Sequence, residues 1–116
     1  MQRDARAFLW DVQESAKQIQ TFVAGMDASA YAANAMAQAA VERKFEIIGE
    51  ALNQLAKFDA TVAARIPELP QIVAFRNQLI HGYASVNVGT VWNVVQTSLP
   101  ALLVQTTALL DELGGP

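Results

Sequence analysis

The sequence contains no cysteine and only one histidine, His81. Disulfide bonds and thiolate metal sites are therefore excluded, and no group of His, Asp and Glu has the spacing of a metal site. A glycine-rich phosphate loop is also missing, so we expect neither a metal nor another cofactor. The charged start of the chain lacks the apolar core and cleavage site of a signal peptide. We therefore expect a cytoplasmic protein.

Charge is scarce: only 16% of the residues are charged, whereas 53% are hydrophobic. A typical soluble domain carries about 25% charged residues, so the deficit favours a large buried self-interface. The eight Lys and Arg residues all lie at or before Arg76, and the net charge is −3. This balance argues against a broad basic face for nucleic acid. It still allows a small pocket with one or two cations.

The longest uncharged stretch, residues 86–110, has the length of a membrane span. It also contains many polar side chains, which the hydrocarbon of a bilayer would not accept, including Asn87, Asn93, Gln96, Ser98 and Gln105. A helix that is buried in the core or in a dimer interface is the better interpretation, and we expect no membrane association.

Apolar residues recur at helical spacing along most of the chain. The pattern predicts helices over residues 2–24, 28–57, 71–81 and 87–113, with a short helical turn at 60–66 and a kink or division at Pro100. No segment alternates in the manner of a β-strand. We therefore predict one all-α domain over residues 1–116, an antiparallel bundle of four or five helices.

The segment most suggestive of chemistry is FRNQLIHGY, residues 75–83. Histidine transfers protons near neutral pH, and arginine binds phosphate through two parallel hydrogen bonds. Cleavage of RNA by its own 2′-hydroxyl needs a base, an acid and a cation at the phosphate. Arg76 and His81 fit these roles. A two-fold homodimer would bring two copies of each to one cleft, so that one His81 serves as base and the other as acid.

Helical geometry also permits a purely structural interpretation. Five residues separate Arg76 from His81, which places them about 140° apart around an ideal helix. They would share a side only if the helix loosens near Gly82. A histidine at a helix C-terminus is favoured by the helix dipole in any case. Arg76 has possible ion-pair partners at Glu46, Glu50 and Glu68, and for Glu50 both a contact with Arg76 and plain exposure remain open.

The same segment resembles the R-x-x-x-x-H-x-Y signature of the HepT-like toxins, a group of HEPN-domain proteins. The resemblance extends, in order and spacing, to Arg3-Asp4, IIGEAL at 47–52, PELP at 67–70, Val91-Trp92 and Leu99-Pro100. It therefore covers nearly the whole chain. One departure is Gly82, which stands where an acidic residue is common in the family.

The resemblance implies a helical homodimer that cleaves RNA without a metal, with Arg76 and His81 in a cleft between the protomers. Asn77 fills the polar position that supports this site in the family. HepT-like toxins are paired with a minimal nucleotidyltransferase antitoxin, which is thought to transfer AMP to the motif tyrosine, here Tyr83. The anionic group would occupy the site of the RNA phosphate.

Two other classes of function stay open. The chain could be a non-catalytic helical partner that helps a nucleotidyltransferase to bind its substrate, or a plain dimerisation module. Among the aromatic residues, Trp92 is expected in the core rather than stacked on a base. Trp10 is expected in the core or an interface, and Tyr31 at the surface or an interface. Gly49 is expected to permit close helix packing rather than to contact a ligand.

Overall fold

A computed structural model of the protein describes residues 4–82 and 86–114. Seven helical segments and no strands occur within these ranges. The segments are α1 (Ala5–Phe22), α2 (Ala28–Ala32), α3 (Ala35–Phe58), α4 (Ala60–Ala63), α5 (Leu69–His81), α6 (Val88–Gln96) and α7 (Ser98–Glu112). Two of them, α2 and α4, are only about one turn long. The predicted all-α bundle is confirmed.

The predicted helix over residues 28–57 is wrong in one respect, because the chain breaks between α2 and α3. Asn34 takes an extended conformation, and its side chain accepts a hydrogen bond from the backbone N–H of Ala37 at 2.9 Å. The side chain of Gln38 donates to the carbonyl oxygens of Tyr31 and Ala32 at the end of α2. An N-cap asparagine satisfies donors that a continuous helix would not expose. The cap therefore outweighs the helix propensity of the surrounding alanines.

The predicted division of the last helix is present, but it lies at Thr97 rather than at Pro100. Proline has no N–H to donate to the carbonyl group four residues before it, and its ring clashes with that group. For Pro100 that carbonyl belongs to Gln96, which is the last residue of α6. A new helix, α7, starts at Ser98 and holds Pro100 in its first turn, where proline is tolerated.

Helix α3 is the centre of the bundle and packs against α1, α4, α5 and α2. On the α5 side, the rings of Phe45 and Phe75 meet edge to face with 5.2 Å between their centroids. Fully buried side chains of α3 complete the contact surface with its neighbours: Val41, Phe45, Ile48, Leu52 and Leu55. This packing fixes α5 against the middle of α3, where Gly49 and Glu50 are located.

The expectation for Tyr31 is wrong, because its side chain is fully buried (0% exposed). Its ring lies 5.2 Å from that of Trp92, which packs on the core as predicted. Burial raises the pKa of the Tyr31 phenol to about 12. The hydroxyl group has no hydrogen-bond partner among the described residues. Trp10 is 42% exposed and is therefore not part of the core.

None of the helices in the described ranges combines the length and the hydropathy that crossing a membrane requires.

Candidate active site

Three predicted site residues, Arg76, Asn77 and His81, lie on α5, which ends at residue 81 as predicted but starts at Leu69, two residues before the predicted start. Pro70 occupies the first turn of the helix, a position where a missing N–H is tolerated. At the other end, the N–H of Gly82 donates to the carbonyl oxygen of Gln78 at 2.8 Å, and His81 is the last helical residue. Arg76 is therefore placed in the interior of the helix and His81 at its C-terminal end.

Arg76 is the more enclosed of the two, since only 21% of its side chain is exposed. Its Nη2 donates to Oε2 of Glu50 at 2.6 Å, and its Nη1 donates to Oδ1 of Asn77 at 3.1 Å. Its Nε is buried and has no acceptor among the described residues. The contact between Glu50 and Arg76 is thus confirmed. Glu46, another candidate partner, pairs with Arg43 at 3.5 Å.

Glu50 is held in turn by its own helix. Gln54, one turn further along α3, donates from Nε2 to Oε1 of Glu50 at 2.9 Å. Each carboxylate oxygen of Glu50 therefore accepts one hydrogen bond, and a chain of contacts runs from Gln54 through Glu50 and Arg76 to Asn77. We call these four residues the Arg76 network. Sequence reasoning missed Gln54, although its i,i+4 spacing from Glu50 is a recognised signal for a helical pair.

The aliphatic part of Arg76 crosses α3 at Gly49. A Cβ atom on Gly49 would lie closer than 3.0 Å to both Cβ and Cγ of Arg76, and 3.3 Å from its Cδ. Only glycine leaves room for the arginine at this crossing. Gly49 therefore permits close helix packing, as expected from the sequence. The side chain that packs on it is Arg76, the candidate site residue.

His81 is exposed and does not join the Arg76 network. Within the described part of the chain, no hydrogen bond or ion pair links it to Arg76. The helix stays regular up to His81, so the two residues remain about 140° apart around the axis and about 7.5 Å apart along it. Up to His81, the last helical residue, α5 shows no loosening that would bring the two side chains together. Tyr83, the predicted modification site, lies outside the described residues.

A groove of about 320 Å³ opens beside Arg76, over α3 and between α1 and α5. Its charged lining consists of two guanidinium groups and three carboxylates: Arg43, Arg76, Asp11, Glu46 and Glu50. Apolar side chains of Phe8, Ile47 and Ile80 complete the walls. The charges nearly balance, so the groove is not a strongly cationic surface. A phosphate would be bound at Arg76 individually rather than by a broad positive field.

No group of three or more His, Cys, Asp or Glu side chains that could hold a metal ion occurs in residues 4–82 and 86–114.

Comparison with known proteins gives consistent similarities. A family model described as "Ribonuclease HepT-like" matches residues 12–109, a range that includes Arg76, Asn77, His81 and Tyr83. A Methanocaldococcus jannaschii protein named "Putative RNase" is 33% identical over 102 residues, which cover 86% of this chain and 91% of that protein. A second protein of that organism with the same kind of name is 29% identical over 115 residues, covering 97% and 93%.

A third relative comes from Thermococcus cleftensis and is named "Probable ribonuclease HepT". It is 30% identical over 104 residues, which cover 88% of this chain and 92% of the relative. No solved structure matches the chain.

Proposed function

The chain belongs to the HepT-like ribonuclease family, and from this premise we propose that it is a metal-independent endoribonuclease of the cytoplasm. The observation that carries the proposal is the environment of Arg76. This arginine is packed on Gly49 and bound by Glu50 and Asn77, unlike a freely moving surface side chain. A held arginine beside an open groove, with a histidine at the end of the same helix, suits phosphodiester chemistry.

The proposed reaction uses the RNA itself as the nucleophile. One histidine removes the proton of the 2′-hydroxyl, and the 2′-oxygen attacks the adjacent phosphorus atom. Arg76 stabilises the added negative charge on the phosphate oxygens. The bond from phosphorus to the 5′-oxygen then breaks, and a second histidine protonates that leaving oxygen. The products are a 2′,3′-cyclic phosphate and a 5′-hydroxyl.

This mechanism requires two histidines, whereas one chain supplies only His81. We therefore propose a two-fold homodimer in which α5 of each protomer borders a shared cleft. Two exposed apolar side chains support this arrangement. Ile80, 38% exposed, precedes His81 on α5, and Trp10, 42% exposed, lies on α1. The low content of charged residues, 16%, points to the same self-interface.

The direct test is cleavage of a defined RNA by purified protein in the presence of a chelator. We expect cleavage that survives chelation and gives 2′,3′-cyclic phosphate ends, and we expect its loss in His81→Ala and Arg76→Ala. Glu112→Gln is a suitable control, because Glu112 pairs with Arg65 and does not line the groove. Unchanged cleavage in either site variant would refute the assignment of that residue.

We further propose that the protein is the toxin of a toxin–antitoxin pair, and that a minimal nucleotidyltransferase antitoxin neutralises it by transferring AMP to Tyr83. Expression of the native chain alone should arrest growth, and His81→Ala and Arg76→Ala at matched soluble levels should not. Co-expression with the nucleotidyltransferase should add the mass of one AMP to the peptide that contains Tyr83. Growth that is equal for all three chains would contradict toxicity in that host.

A second candidate function is a non-catalytic partner subunit of a nucleotidyltransferase. The net charge of −3 and the three carboxylates in the groove favour it, because they oppose binding of polyanionic RNA. This candidate predicts a stable complex with the nucleotidyltransferase and no RNA cleavage by either protein alone. The cleavage assay therefore separates the two functions.

A further inference from the structure

We infer that Glu50 is a positioning residue, which holds the guanidinium group of Arg76 in the orientation that receives the scissile phosphate. This inference rests on the proposed ribonuclease function and adds a residue on a different helix to the site. Glu50 lies on α3, 26 residues before Arg76, and its Oε2 is 2.6 Å from Nη2. The contact therefore ties the site to the packing of the bundle and not to α5 alone.

The first step of the argument is that Arg76 is restrained at several points along its length. Its Cβ and Cγ lie against the bare backbone of Gly49. Its Nη1 is bound by Asn77 and its Nη2 by Glu50. A long arginine side chain normally samples many rotamers, and holding it in place removes an ordering cost from the binding of substrate.

The second step concerns the donors that remain. A guanidinium group has five N–H donors. One on Nη1 and one on Nη2 are used within the Arg76 network, and Nε is buried. The remaining N–H of Nη1 and of Nη2 are therefore the donors available to a phosphate. The contacts with Glu50 and Asn77 select which donors bind the ligand and in which direction they point.

The third step explains why a carboxylate can be useful at a site for an anion. Glu50 is 48% exposed, so solvent screens part of its charge. Gln54 binds its other oxygen and keeps it directed at Arg76. Its residual repulsion weakens ground-state binding of the phosphate. The fixed orientation of the guanidinium acts on the transition state, where a misplacement of about 1 Å can cost on the order of 100-fold in rate.

Because the charge of Glu50 acts on phosphate binding and its anchoring of Arg76 acts on the transition state, substitutions of Glu50 should change KM and kcat independently. In Glu50→Ala the arginine loses its anchor, and we expect kcat to fall by about 10- to 100-fold. In Glu50→Gln the amide oxygen still accepts from Arg76 while the negative charge is lost. We expect this variant to recover most of kcat and to have a lower KM than the native protein. A role in stability alone would not produce this pattern.

The matched control is Glu112→Gln. Glu112 and Arg65 form another ion pair between distant parts of the chain, with Nη1 of Arg65 donating to Oε1 at 3.0 Å. Neither residue of this pair lines the groove. We expect Glu112→Gln to leave kcat and KM unchanged. Circular dichroism and thermal unfolding of each variant establish that the compared proteins are folded.

A second readout does not depend on catalysis. The chain has five arginines, and the Nε–H signal of Arg76 can be assigned in an NMR spectrum by its loss in Arg76→Lys. Because Nε is buried, its proton should exchange with water more slowly than those of exposed arginines. We expect faster exchange in Glu50→Ala and an intermediate rate in Glu50→Gln.

The outcomes separate this inference from the function on which it rests. If the native chain does not cleave RNA, the proposed function fails. If the native chain cleaves RNA and Glu50→Ala cleaves it with the same kcat, only the positioning role is overturned. Unchanged exchange of the Arg76 Nε proton in Glu50→Ala would also overturn it, because Glu50 would then not anchor the guanidinium.

Discussion

Replacing Gly49 by alanine should damage the site more than the fold. The new Cβ would lie closer than 3.0 Å to Cβ and Cγ of Arg76 and 3.3 Å from its Cδ. The first two atoms are close to the backbone of α5, so they cannot move away as a flexible chain end could. A rotamer change would move Cγ but not Cβ, so α3 and α5 would have to separate locally. This separation would break the 2.6 Å contact between Glu50 and Arg76.

The two contributions to stability partly cancel. Overpacking of a well-packed contact costs about 1–3 kcal/mol. Alanine in place of glycine inside a helix stabilises it by about 1 kcal/mol. The expected net loss in the free energy of unfolding is therefore about 0–2 kcal/mol. A loss near the middle of this range lowers the Tm of a domain of this size by roughly 4 °C.

Urea unfolding and RNA cleavage measured on the same preparation would test this prediction. We expect Gly49→Ala to stay folded and to lose at least about 10-fold in kcat, since the arginine is displaced. A double-mutant cycle with Arg76→Ala provides the control, because that change removes Cγ and Cδ and should reduce the cost of the added methyl group. Native kcat together with native or higher stability in Gly49→Ala would refute the packing argument.

Three further predictions concern the fold. Tyr31→Phe removes a buried hydroxyl that has no hydrogen-bond partner among the described residues. We therefore expect the free energy of unfolding in urea at pH 7 to stay equal or to rise by about 1 kcal/mol. A decrease of more than about 1 kcal/mol would reveal a hydrogen bond. Because the folded-state pKa of Tyr31, about 12, lies above the value near 10 of an unfolded chain, the unfolded state loses its proton first. The stability that this residue provides is complete below pH 10 and is lost as the pH rises towards 12, and Tyr31→Phe should remove that part of the alkaline decline. Asn34→Ala removes the cap of α3 and should cost about 1 kcal/mol, measured by thermal unfolding against Asn93→Ala as an exposed control.

The sequence predicted the end of α5 correctly, because Gly82 is a local signal that follows its last residue. The start was predicted at residue 71, but the helix begins at Leu69, since its first turn tolerates Pro70. The contact with Glu50 was one of the alternatives that charge patterning offered. Gly49 beside Glu50 also indicated a close helix crossing. Only the structure shows that Arg76 is the residue at that crossing.

The features that sequence reasoning missed depend on competition between local and tertiary contacts. The alanines of residues 28–40 predict a continuous helix, but the cap at Asn34 and the carbonyl contacts of Gln38 break it. Tyr31 was expected at the surface or in an interface. In the structure its side chain points into the bundle and contacts Trp92 on α6, a helix that is distant in sequence. No local pattern contains that contact.

How Arg76 and His81 could act on the same phosphate could not be derived from one chain. Helical spacing places them on different sides of α5, and the structure keeps them there up to the last residue of the helix. The proposed chemistry needs them at one phosphate. In the proposed two-fold homodimer, the second protomer would supply the missing groups.

The most direct test of the shared cleft is the RNA cleavage rate of a mixed dimer, purified through two different affinity tags, with one native and one His81→Ala subunit. If one His81 acts as base and the other as acid, the mixed dimer should be as inactive as the His81→Ala homodimer. A rate of about half that of the native dimer would mean that each protomer carries a complete site, and would contradict the two-histidine mechanism.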